Sequence, residues 1–288
     1  MSRPLRIEFP GAVYHITTRG DRKEDIFLSE DDRLTFLKVF SKVSERFEWV
    51  CYAYCLMDNH YHLVLETPIP NLSKGMAQLN GIYTQKFNWK NNNVGHVFQG
   101  RYKSIIVEKN AYLLELLRYV VLNPVRAEII KEPGNYRWSS FRATAGFTSR
   151  PEWLNVSFVL NLFSEDREEA KNKYISFVMQ GLRWGESIWN DLKQQIYLGS
   201  DEFIEEVQGY VKSTIHDVKS EIPREQIEAP VFDLQYYKSS FSDPKEGMAR
   251  AYLEGRYSMK EIGDVFNVHR STVSRAIKFF EEKEVRDN

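Results

Sequence analysis

Apolar and polar residues alternate over residues 13 to 19 (VYHITTR), a period of two that predicts a strand. From 30 to 47, EDDRLTFLKVFSKVSERF returns an apolar residue every three or four positions behind Ser29, the pattern of a capped helix. Two strand-like runs, 49 to 57 and 60 to 66, flank Asp58 and Asn59, which form a short turn of hairpin type. A helix over 71 to 90, a strand over 102 to 108 and a helix over 110 to 123 follow, the last expected to stop at Pro124. The order β-α-β-β-α-β with one further helix predicts an α+β fold, a ferredoxin-like antiparallel sheet with its helices packed on one face.

This first domain is expected to span residues 1 to 150. From 151 to 210 the period turns helical, with VSFVLNLF, EEAKNKYISFVMQGL and SDEFIEEVQGYVK as helices of an extension. Residues 211 to 244 are weakly patterned and carry Pro223, Pro230 and Pro244, which predicts a linker. Residues 245 to 288 read as a last compact unit of three short helices, with Ser258 and Glu261 forming a capping box. Ile262, Val265, Phe266, Val268, Val273 and Ile277 are spaced to share one small core. Two of these helices follow a helix-turn-helix plan, and SMKEIGDVFNVHRSTVSRAIK resembles bacterial helix-turn-helix modules, including that of replication initiators. The second helix would present His269, Arg270, Ser271, Thr272, Ser274 and Arg275 to a major groove. A trihelical packing module that never touches DNA is the alternative.

Composition changes this picture little. The chain has 288 residues, 42% hydrophobic and 27% charged, enough for two compact units, and no apolar run nears the roughly 18 residues of a membrane span. The opening MSRPLRIEFPG holds no stretch of signal-peptide length, and cysteines are confined to Cys51 and Cys55, so a reduced cytoplasmic location and buried thiols are expected. A net charge of −1 excludes bulk basicity as a sign of nucleic-acid binding. Cations nevertheless gather locally: Arg101, Lys103, Lys109, Arg118 and Arg126 stand against Glu108 and Glu115.

The candidate chemistry lies in the second hairpin strand and the third helix. Residues two apart on a strand share a face, so His60 and His62 point together and can reach one divalent ion, or else form a hydrogen-bonded surface pair. In the helix, Leu113, Leu114, Leu117, Val120 and Val121 form an apolar arc, whereas Tyr112, Glu115, Tyr119 and Asn123 lie opposite. Tyr119 is therefore available for chemistry, though it also fits an amphipathic surface. Asn123 follows one turn later, where its oxygen and the phenol can converge on one point, or where it simply ends the helix before Pro124. Arg101, Lys103, Arg118 and Arg126 could hold a DNA backbone, Tyr102 could stack on an unpaired base, and Arg19 and Arg22 are weaker members of that set. His15 and His96 are expected to be structural, since neither has a partner at ligand spacing.

MDNHYHLVLE, FQGRYKS and RYVVLNPVRAEI, in that order, resemble the signature of the single-tyrosine HUH transposases, in particular the REP-associated tyrosine transposase branch. The likeness extends over roughly residues 5 to 147, with YHITTRG, YTQKFN and YRWSS, and places Tyr119 57 residues past His62. The bulky middle position of the HUH element is Tyr61 here. The resemblance implies the ferredoxin-like fold and a reaction in which a tyrosine attacks single-stranded DNA, leaving a 5′-phosphotyrosine and a free 3′-hydroxyl. By that likeness Tyr119 is the nucleophile, His60 and His62 hold Mg²⁺ or Mn²⁺, and Asn123 is the third ligand. Single-stranded or hairpin-bearing DNA would meet the first domain and duplex DNA the last, without a membrane, and a homodimer is compatible. Two rivals are a transcription regulator on a retained nuclease scaffold and a metal-dependent RNase, because a metal beside cations does not by itself choose DNA over RNA.

Overall fold

The computed structural model describes residues 6–182, 188–214, 233–241, 243–253 and 257–286. Strand β1 (Ala12–Arg19) precedes helix α1 (Glu30–Phe47), the hairpin of β2 (Val50–Leu56) and β3 (His60–Thr67), and helix α2 (Leu72–Asn91). Strand β4 (Lys103–Val107) and helix α3 (Lys109–Val121) complete the expected series. Ser29 caps α1 by accepting the amide of Asp32, which removes one of the unpaired donors at a helix start. β1 lies between β3 and β4, antiparallel to both, and β2 pairs outside β3. The resulting order β2-β3-β1-β4 is that of a ferredoxin-like sheet.

Three features depart from expectation. The sheet continues past β4 through β6 (Tyr197–Leu198), which is parallel to β4, and β5 (Leu192–Lys193), antiparallel to β6. A stretch expected to be wholly helical thus contains a hairpin, because strands of two residues are too short to show alternation. The helices do not share one face either. Tyr61 of β3 packs on Phe36 of α1 at 4.7 Å between ring centroids and donates to Asn80 Oδ1 of α2 at 2.6 Å. His62, one residue along, faces Tyr119 of α3, so α3 covers the opposite side. Lastly, Pro124 does not merely stop α3. It opens a further single turn, α4 (Asn123–Arg126), where its missing N–H costs nothing.

On the α1–α2 side, Phe27, Phe36, Phe40, Tyr61 and Tyr83 form a fully enclosed aromatic layer. Each such side chain contributes about 1.5–3 kcal/mol by leaving water, so this layer anchors the sheet that carries the site. Gly75 of α2 lets Trp49 approach, since a Cβ there would lie 2.1 Å from the indole. Short helices α5 (Phe141–Thr144) and α6 (Val156–Asn161) lead to α7 (Arg167–Gln180).

The chain divides into two compact units, Arg6–Gly199 and a second that begins at Ser200. The second holds α8 (Asp201–Thr214), α9 (Leu234–Ser239), α10 (Pro244–Leu253), α11 (Met259–Phe266) and α12 (Arg270–Arg286). Its core joins Tyr237, Met248, Ala251, Ile262, Val273, Ala276 and Ile277. Tyr237, only 1% exposed, belongs to α9, so the expected linker carries a core residue. The prolines Pro223 and Pro230 lie outside the described residues. Ser258 and Glu261 form the expected reciprocal capping box on α11. Asn267, left-handed at φ 57°, ends α11, and α12 begins at Arg270. Gly263 is required there, because a Cβ would meet the carbonyl of Val268 at 2.7 Å.

Candidate active site

Register places Thr17 opposite His62 and Arg19 opposite His60, so His15, Thr17, Arg19, His60 and His62 share one face of β1 and β3. His15 Nε2 lies 2.9 Å from His62 Nδ1, and the two rings stack at 5.2 Å. Thr17 Oγ1 approaches both nitrogens, at 3.4 and 3.5 Å. The ring of His60 stands nearly perpendicular to that of His62 at 5.0 Å, and its Nδ1 pairs with Asn59 Oδ1 at 2.7 Å. His15 therefore does have a histidine partner, supplied by the neighbouring strand. Spacing along one segment cannot reveal that pairing. His96 is exposed and borders a different cleft.

Burial lowers the His15 pKa to about 3, because a charged imidazole would be stranded in an apolar interior. Burial, reinforced by His15 and His60, holds His62 well below the ordinary imidazole range. His60 is lowered as well, by burial and by Arg19, against the opposing pull of Asp58. All three rings are thereby neutral near pH 7, the form a metal ligand needs.

Tyr119 reaches this face from α3. Its ring meets His15 and His62 edge-on, each at 6.0 Å, and the Arg126 guanidinium lies 4.8 Å over it. Trp189 closes the group, edge-on to Tyr119 at 4.9 Å and stacked on His15 at 5.0 Å. It comes from the turn Ile188–Asp191 just before β5, and no motif around it signals this position. Asn123 Nδ2 donates to the carbonyls of Tyr119 at 2.9 Å and Val120 at 3.3 Å, ending the helix in the ordinary way. Its oxygen is the atom of that amide left for a ligand role.

Beside the histidines is a cavity of about 340 Å³ lined by Thr17, Arg19, His60, His62, Gln99, Arg101 and Lys103. Three cations and no carboxylate line it, which suits a phosphodiester. Arg22 is exposed in the loop after β1 and is not among the lining residues. Two members of the expected DNA-contacting set are enclosed instead. Arg118 is only 4% exposed, pairs with Glu115 and lies 4.3 Å over the ring of Phe177. Tyr102 is buried beneath Arg6, whose guanidinium is 4.0 Å from its ring, with its hydroxyl 3.3 Å from Ser73 Oγ. Neither offers a free surface, because alternation along β4 and the turn of α3 point both inward. In the second unit, His269, Arg270, Ser271, Ser274 and Arg275 are exposed and Thr272 is half-buried. Arg275 Nε donates to the carbonyl of Ser271 at 3.2 Å.

Among the described residues no group of three or more His, Cys, Asp or Glu side chains is placed to hold an ion. The donors present still fit a divalent metal of mixed shell. His62 Nε2 is buried without a hydrogen-bond partner, a cost that a ligand would remove. His60 uses Nδ1 on Asn59 Oδ1, a hydrogen bond that fixes the ring and leaves Nε2 for a ligand.

A sheet bearing paired histidines beneath a tyrosine helix, next to a cationic cavity, defines the class: a nuclease of the transposase type. Residues 9–123 match the model of the family described as Transposase IS200 like. The chain is also similar to a solved structure described as "Structure of the REP associates tyrosine transposase bound to a REP hairpin". The two are 16% identical with a TM-score of 0.45, over 52% of this chain and 89% of that one. No curated protein matches the chain. No described helix is long and apolar enough to cross a membrane.

Proposed function

We propose that this transposase-type nuclease nicks single-stranded DNA and transfers the strand through a 5′-phosphotyrosine on Tyr119, using Mg²⁺ or Mn²⁺ held by His60 and His62. The observation that carries the reading is the meeting of Tyr119 with His62 on the face that opens into the cationic cavity. The Tyr119 oxygen attacks phosphorus, the bond to the 3′ oxygen breaks, and that oxygen leaves as a 3′-hydroxyl after taking a proton. The phosphoester to tyrosine keeps the energy of the broken bond, so a later attack by another 3′-hydroxyl rejoins DNA without ATP. His60 and His62 would hold a divalent ion, and such an ion would neutralise charge on the phosphoryl oxygens. Arg19, Arg101 and Lys103 hold the flanking phosphates, while Arg126 and Trp189 fix the phenol. Asn123 would supply a third, replaceable ligand through its amide oxygen. The exposed residues of α12 dock duplex DNA.

The test is incubation of the full chain with short single-stranded and hairpin-bearing DNA, with Mg²⁺ or EDTA, followed by a denaturing gel. A protein–DNA adduct that needs the ion, and is lost in His60→Ala and His62→Ala, is expected. Full activity in EDTA removes the metal from the mechanism. Cleavage of RNA without any adduct would establish the RNase reading instead.

A further inference from the structure

Gly81 occupies the middle of α2, where glycine destabilises a helix relative to alanine. Packing gives no reason for it. A side chain at Gly75 would collide with Trp49, whereas a Cβ at Gly81 would meet no atom within 4 Å. The open space belongs to a cleft of about 370 Å³ bordered by Asn80, Gly81, Thr84 and Gln85 of α2 and by His96, Val97, Phe98 and Gly100. That volume is within the roughly 300–1,000 Å³ of small-molecule sites. Its walls are amides, a hydroxyl and an imidazole, its apolar part is Val97 and Phe98, and no carboxylate or cation lines it. Tyr61 holds Asn80 Oδ1, which leaves the Asn80 amide N–H groups as donors.

Residues 98 to 101 form the wall between this cleft and the histidine cavity. Phe98 and Gly100 border the cleft, while Gln99 and Arg101 border the cavity. The wall is pinned to the end of β1 by the Gln99 amide on the Arg19 carbonyl at 2.9 Å. It is low at Gly100, where no side chain stands. One turn beyond Gln85 along α2 is Trp89, 86% exposed, an unusual place for a large aromatic ring.

We infer that the cleft on α2 is a subsite for an unpaired nucleobase of the DNA strand cut at the adjacent cavity, with Trp89 as a stacking platform. Phosphates lie on the cationic side of the wall and the base passes over Gly100 into the amide-lined side. Neutral donors and acceptors read base edges, and aromatic rings hold bases by stacking. This inference rests on the proposed function.

The experiment uses the full chain and a 20-nucleotide single strand of mixed sequence carrying 4-thiothymidine at successive positions. Irradiation should cross-link DNA to the peptide spanning residues 81 to 96 from a narrow set of positions. Gly81→Leu fills the cleft and suits a helix better than glycine, so the fold is kept. It should weaken single-strand binding roughly tenfold, with thermal midpoint unchanged or raised, and abolish the cross-link. Trp89→Ala should weaken binding by about five- to a hundredfold, and Trp89→Phe should largely restore it. If the Tyr119 adduct forms but cross-links fall elsewhere and Gly81→Leu binds as the parent does, the subsite is refuted while the nuclease reading stands. If no adduct forms on any DNA, the nuclease reading fails by itself, whatever Gly81→Leu does.

Discussion

Tyr61 and Tyr119 lie on opposite faces of one sheet, and their surroundings give them opposite tasks. Tyr61 is fully buried, accepts from Thr18 at 2.9 Å and donates to Asn80, so its phenol is a structural hydrogen-bonding group. Tyr61→Phe should cost about 1–2 kcal/mol of stability, since two buried groups are deprived of a partner, yet still form the DNA adduct. Tyr119→Phe should fold with an unchanged thermal midpoint and form none. A denaturing gel and a melting curve for each variant decide it, and the reverse pattern would move the nucleophile to Tyr61. Trp189→Ala should slow single-turnover adduct formation about tenfold through looser placement of the phenol, with single-strand affinity nearly unchanged, and Trp189→Phe should recover most of the rate. His60, His62 and Tyr119 could be singled out as candidates in the sequence because each sits at a spacing that one element makes meaningful. His15 reads as structural and Trp189 gives no signal at all, because strand pairing and chain return, not local spacing, bring them beside His62 and Tyr119.

The long elements were legible for a physical reason: eighteen or twenty residues repeat a period often enough to be read, as in α1 and α2. Two-residue strands repeat nothing, and Pro124 carries no sign of whether it ends one helix or begins another. The start of α1 offers a test at this scale. Asp32 is almost wholly enclosed, accepts from Leu28 N and Ser29 Oγ at 3.0 Å, and pairs with Lys90 of α2 at 2.8 Å. Burial raises its pKa, but the bonds from Lys90 and Ser29 outweigh burial and leave it below the usual aspartate value. A depressed folded pKa means its contribution is complete above the ordinary aspartate range and is lost as pH falls through the lowered value. Asp32→Ala should cost about 1–3 kcal/mol at pH 7, and the gap between variant and parent should close in acid. Urea unfolding at a series of pH values measures it; a gap that widens on acidification would contradict the assignment.

The net charge of −1 conceals, among the described residues, a cationic lining at the histidine cavity and, in the second unit, exposed cations over the first half of α12, Arg270, Arg275 and Lys278. If α12 docks duplex DNA, Arg270→Ala and Arg275→Ala should each weaken binding to a hairpin-bearing substrate. The log-log salt slope should fall by about 0.9 for each phosphate that the variant no longer neutralises, while adduct formation on a plain single strand is unaffected. Salt titrations on both substrates check this, and identical slopes for variants and parent would make α12 a packing helix. The parallel pairing of β6 with β4 carries a different consequence. Ile106 aligns with Tyr197, so about ninety residues must be threaded before that ladder can close, whereas β2 and β3 meet across a two-residue turn. Pairings so distant in sequence form slowly, because the intervening loop must be closed before they are rewarded. As the chain is synthesised, the histidines and Tyr119 can meet long before Trp189 arrives. The enclosure of Tyr119 is then the last part of the domain to assemble, and a pulse of hydrogen exchange during refolding should find β1 and β3 protected ahead of β6.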